Sequence, residues 1–164
     1  MSHDGTQDQG RIVIERSYRA SIDDVWALWT TKDGFESWWG PQGFRVEVHE
    51  LDARVGGALR YDMIADAPEM VAAMKQMGAP ISHPTRSRFT EVAHHRRLVL
   101  TNLLDFLPGV APYESHIDAD FTVVGDRVRM VLTLDRLHDA DWTERQQQGM
   151  TSQLGKLDTR FAAA

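Results

Sequence analysis

The stretch that most limits what this chain can become is its last one, Trp142 to Ala164. Met150, Leu154, Leu157 and Phe161 recur at spacings of four, three and four, which places them on one stripe of a helix, while Thr151, Lys156, Asp158 and Arg160 fall mostly elsewhere. Asp139 or Asp141 can cap its start, and Glu144 stands in the first turn, where the helix dipole favours an acid. Such a helix cannot bury its apolar stripe alone, so the preceding chain must supply a facing surface. Most of that chain reads as strands.

Arg11 to Arg19 alternates as a first strand. Ser21 is a candidate N-cap, with Asp23 and Asp24 in the first turn and Val25, Trp26, Leu28 and Trp29 on the buried side of a short helix. Asp33-Gly34 breaks it, and Phe35 to Trp39 reads as a second short helix closed by Gly40-Pro41-Gln42-Gly43. Phe44, Val46 and Val48 alternate with Arg45, Glu47 and His49. Gly56-Gly57 turns, and Leu59, Tyr61 and Met63 continue the pattern in a partner strand. Ala65 to Arg86 changes period: Met70, Val71, Met74 and Met77 are helically spaced, followed by Gly78, Pro80 and Pro84, so a helical insertion closed by an extended loop is expected. Strands resume over 87–94 and 97–104 around a His94-His95-Arg96 corner, and a hairpin turns at Gly125-Asp126. The economical packing is α+β: a curved antiparallel sheet of about six or seven strands wrapped around the final helix, whose Gly149 and Gly155 are expected to permit close approach.

The chain has 164 residues, which suits one domain over 11–164, and Met1–Gly10 reads as a frayed polar tail. A net charge of -6 gives no broad basic field for nucleic acid or anionic lipid. No apolar run spans a bilayer and there is no cysteine, so a cytoplasmic protein without disulfides or thiolate metal sites is expected.

The order of elements, with Ile14-Glu15-Arg16-Ser17-Tyr18-Arg19-Ala20-Ser21-Ile22-Asp23-Asp24-Val25-Trp26-Ala27-Leu28-Trp29, the Trp38-Trp39-Gly40-Pro41 step, Arg54-Val55-Gly56-Gly57, Arg97-Leu98-Val99-Leu100-Thr101 and Gly149-Met150-Thr151 through Leu157, resembles the SRPBCC superfamily. Within it, the nearest likeness is to the domain related to the activator of the heat shock protein 90 ATPase, over nearly all of Arg11 to Phe161. The resemblance implies a helix-grip fold, similar to START lipid-transfer domains and the birch-pollen allergen, with a cavity between sheet and C-terminal helix. It implies little about chemistry, since members bind lipids, sterols or polyketides, cyclise aromatic products, or act as chaperone partners. This chain departs from the simpler pattern in its 65–86 insertion and in carrying Met150 where tryptophan is common.

The expected cavity lining is Phe44, Val46, Leu59, Tyr61, Met63, Leu100, Asn102, Ile117, Ala119 and Phe121 from the sheet and Met150 and Leu154 from the helix, with Trp39 closing one end and Met74 on a lid. The competing reading is that these residues simply fill a core. Asn102 interrupts the apolar parity of Leu98, Leu100 and Leu104, which makes it a polar group for touching ligand or for bonding a nearby loop. His116 and Asp118 share a strand face but should point to water, and His94 and His95 should project to opposite faces. His83 with Arg86 and Arg88 could meet an anion at the mouth. No nucleotide or hydrolase motif, cofactor site or clustered metal-ligand set is seen. The leading expectation is therefore a binding domain for a small hydrophobic or amphipathic ligand. A chaperone-regulating or other interaction domain is the alternative, a cyclase- or hydrolase-type enzyme the second, and homodimerisation a weak expectation.

Overall fold

The computed structural model describes residues 10–105 and 107–162. Apart from Gly10, the expected tail lies outside them. Seven strands make one fully antiparallel sheet: β1 (Arg11–Tyr18), β2 (Phe44–Leu51), β3 (Ala58–Ala65), β4 (Ser82–Ala93), β5 (Arg97–Leu104), β6 (Tyr113–Val124) and β7 (Arg127–Asp135), in the order β1-β7-β6-β5-β4-β3-β2. The helices are α1 (Ile22–Thr30), α2 (Lys32–Glu36), α3 (Pro68–Gln76) and α4 (Ala140–Phe161). The expected helix-grip architecture is present. Strand parity sends Val46, Val48, Leu59, Tyr61, Phe89, Leu98, Leu100, Ile117, Ala119, Phe121, Met130, Leu132 and Leu134 inward, and α4 covers them with Met150, Leu154 and Leu157.

The helix starts follow their caps. Ser21 Oγ accepts from the Asp24 amide at 3.1 Å, and Asp139 Oδ1 accepts from the Trp142 amide at 2.7 Å. Four residues seal the aromatic end: Trp38 donates Nε1–H to the Leu28 carbonyl at 2.8 Å, Trp29 meets Trp38 and Trp39 edge-on, and Phe35 stacks on Trp39 at 4.7 Å. At the open rim of β2, Glu36 Oε2 accepts the Val48 amide at 2.8 Å and is held by Lys32 Nζ at 2.8 Å.

Four expectations are corrected. Asp33-Gly34 does not break the first helix, which already ends at Thr30, but sits inside the second, which runs Lys32–Glu36 and not Phe35 to Trp39. A Cβ on Gly34 would stand 2.0 Å from the Ala27 carbonyl oxygen, so the glycine is what lets α2 fold against α1. The helical part of 65–86 is confined to α3, and Ser82–Arg86 extend β4 instead. They pair with β3 alone, past the end of the β5 ladder, where the missing N–H of Pro84 removes no bond. Gly149 and Gly155 have open space where a Cβ would be, so neither serves close approach to the sheet. His94 and His95 do not diverge either. His95 takes a left-handed φ of 64° in the turn, which abolishes strand alternation and stacks the two imidazoles 3.7 Å apart against Trp26.

Candidate functional site

The concave face is not uniform along its length. At its centre Leu59, Ala119 and Leu154 are 0% exposed and Leu100 and Met150 are buried, so sheet and helix meet without a water-sized gap beside them. Towards the N-terminal end of α4, Met63, Thr85, Asn102, Leu104 and Tyr113 point the same way but are only half-buried. Phe44 and Met74 are half-buried at the margin where α3 meets the sheet, while Val46, Ile117 and Phe121 are buried. Phe121 leans on Trp26 and Trp29 and so belongs to the aromatic end, as does Trp39.

Between the sealed and half-open parts runs a polar row. Leu59, Ser87, Asn102 and Ser115 are direct cross-strand partners on β3, β4, β5 and β6. Ser87 donates its hydroxyl to Asn102 Oδ1. Ser115, 1% exposed, has a hydroxyl with no partner. Asn102 thus stands where strand parity put it, but its companions were missed. They become visible only once the β4–β5–β6 register is known, because a serine alone in an alternating strand carries no signal. One step along β3, the Tyr61 hydroxyl accepts from Trp39 Nε1 at 3.0 Å, and burial pushes the phenol up to about 12, the tryptophan bond offsetting part of the rise. Gln153 on α4 ties the helix to the sheet end by accepting from the Gly40 amide at 2.8 Å. By strand parity, Asp, Glu, Lys and Arg are absent from the concave side of β2 to β7 among the described residues.

The convex face is the opposite. Asp118 points outward as expected but is only 9% exposed, because Arg11 and Arg97 close over it at 3.1 and 3.0 Å. Burial pushes its carboxyl up, yet the two guanidinium groups outweigh this and hold it below the ordinary 3.8. His116 is not oriented by Asp118. Its Nδ1 bonds Thr101 Oγ1 at 2.8 Å, and Thr101 bonds Thr90 Oγ1 at 2.8 Å. Arg86 pairs with Asp105 and Arg88 with Glu114, so these arginines are already answered within the chain. Arg86 and His83 also border a cleft of about 330 Å³ with His49, Arg60 and Asp62. No group of three or more metal-ligating side chains occurs among the described residues.

A profile for the family described as activator of Hsp90 ATPase homolog 1-like protein matches residues 19–162. The chain belongs to that family. Among solved structures, a protein from Chromobacterium violaceum superposes with a TM-score of 0.75 at 21% identity, over 93% of this chain and 97% of the other. The AHSA1 protein from Silicibacter pomeroyi gives 0.71 at 20%, over 93% and 98%. CalU16 from Micromonospora echinospora gives 0.61 at 16%, over 91% and 74%. At these identities the structures establish the fold shared with this AHSA1-like chain. No curated protein matches the sequence. Among the described residues no helix is long and apolar enough to cross a membrane.

Proposed function

We propose that this AHSA1-like domain binds a small hydrophobic or amphipathic molecule between the sheet and α4, entering at the half-open end over Met63, Thr85, Asn102 and Leu104. The observation that carries this is the gradient of burial along one continuous concave face: sealed at Leu59, Ala119 and Leu154, incompletely covered where the helix begins. Apolar burial at about 25 cal/mol per Å² drives affinity, and the adaptable Met63 and Met74 side chains accommodate shape. Tyr61 is a buried titratable group of that face, and with its phenol pushed up to about 12 it stays neutral near neutrality, which suits binding better than proton transfer. The cysteine-free sequence fits a reducing, cytoplasmic setting.

The test is thermal unfolding of the purified protein against a library of lipids, sterols, polyphenols and metabolites, since a ligand specific for the native state raises the midpoint by mass action. A shift for one chemical class, lost in Leu154→Trp, supports the reading; no shift from any compound sinks it. A protein-interaction role is the second reading. It is favoured by Met77, 71% exposed just past α3, with Ile81 also exposed nearby. Loss of partner binding in Met77→Ser with ligand binding intact would select it.

A further inference from the structure

We infer that the polar row Ser87–Asn102–Ser115 selects an uncharged ligand that ends in a carbonyl or hydroxyl oxygen and places that oxygen between Asn102 and Ser115. This deepens the pocket reading above and rests on it. Hydrogen-bond capacity is left over along this row. Asn102 spends its Oδ1 on the Ser87 hydroxyl, so its amide Nδ2 retains both donors. The Ser115 hydroxyl retains its donor and both lone pairs, although it is 1% exposed. A buried hydroxyl without a partner costs stability and survives where something outside the chain completes it.

Asn102 and Ser115 are direct antiparallel partners on the inner face, so their Cβ atoms stand about 5 Å apart, a span that one oxygen bridges with a hydrogen bond to each side. Below them Leu100, Ile117 and Phe89 are sealed, which stops the ligand's polar end from going deeper. Charge is what the row cannot serve. The concave side of β2 to β7 carries no Asp, Glu, Lys or Arg among the described residues, and the buried α4 side chains, Thr143, Met150, Gln153, Leu154 and Leu157, are uncharged. The half-buried Lys156 of α4 is engaged at the β2 margin, where it donates to the Phe44 carbonyl at 3.3 Å, whereas the row lies on β4 to β6. A carboxylate or ammonium would lose its hydration there with no counter-ion to replace it. An amide, ketone, ester or alcohol gives up only one or two hydrogen bonds to water and recovers them from Asn102 and Ser115.

The probe series holds the apolar tail constant and changes the head: octanamide, octanol, octanoate and octylamine, titrated calorimetrically at about pH 7.5, where the last two are ionised. The neutral pair should bind at least about tenfold more tightly than the charged pair. Ser115→Ala provides the decisive second readout. It removes an unpaired hydroxyl, so it should raise the unfolding midpoint of the unliganded protein while weakening octanamide by about fivefold and leaving an octyl chain without a polar head unaffected. A residue with a merely structural role would lose stability instead. Equal affinity for all four heads, or unchanged octanamide affinity in Ser115→Ala, overturns the inference while leaving the pocket reading in place. Failure of every head to bind overturns this inference, and the library screen above then decides the pocket reading separately.

Discussion

Two pairs of neighbouring residues on the same strands show how differently the faces of this sheet are finished. Thr101 and His116 point outward and bond each other, Thr101 passing the chain on to Thr90. Asn102 and Ser115, one residue further along β5 and one residue back along β6, point inward and leave hydrogen-bond capacity unspent. The convex face is balanced internally, with Asp118 clasped between Arg11 and Arg97 and Asp120 held by Arg97 at 2.8 Å. The concave face is apolar, neutral and incomplete at one end. The lesson is that the ionic network stiffens the sheet from outside, which frees the inner face to be spent on something other than stability.

The contrast can be attacked at each of its parts. Leu154→Ala opens a hole at the sealed centre and should cost about 3 kcal/mol in denaturant unfolding, against much less for Met63→Ala at the half-open end. Equal costs would erase the gradient. Raising the pH tests the inner face next. Tyr61 titrates at about 12 when folded and at 10.0 ordinarily, so the stability it contributes is complete below pH 10 and drains away as the pH climbs towards 12. The loss should be on the order of 2 kcal/mol, and Tyr61→Phe should remove that share of the alkaline slope.

The outer face responds to acid instead. Asp118 has a folded value held below 3.8, so its contribution is present above pH 3.8 and is lost as the pH falls through that lowered value. Asp118→Asn should cost about 1.5 kcal/mol at neutral pH, and the gap to the natural protein should close in strong acid. A gap independent of pH would show that shape, not charge, holds Arg11 and Arg97. The smallest effect belongs to neither face: Gly149→Ala and Gly155→Ala, with open space for a methyl group, should each stabilise α4 by about 0.7 kcal/mol.

The elements that carry strong periodicity could be read directly. The stripe Met150, Leu154, Leu157 fixed α4, and strict alternation in Ile117–Phe121 and Val128–Leu134 fixed the β6–β7 hairpin and its inward residues. What failed was where local signals compete with pairing or turn geometry. Pro84 suggested a loop, yet one side of β4 is unpaired there and tolerates it; the His94-His95-Arg96 corner was legible, but not the left-handed φ of His95 that brings the two imidazoles together instead of sending them to opposite faces. At the site, Asn102 was legible because it interrupts an apolar parity. Ser87 and Ser115 were not, because they matter only as its cross-strand neighbours. The gradient of burial, too, depends on where α4 begins relative to the strand ends, which no local pattern encodes.

Glu36 carries a consequence for how molecules of this protein behave in company. An open sheet ends in two rims, and each is a template on which the backbone of a stranger can continue the ladder. On the β2 rim the Val48 amide is already taken by a carboxylate, itself tethered by Lys32 one turn earlier. A would-be eighth strand must therefore evict a charged, anchored group before it can make its first bond there. A lysine and a glutamate on five residues of helix thus act as a stopper against polymerisation, leaving the two faces to define what the domain recognises.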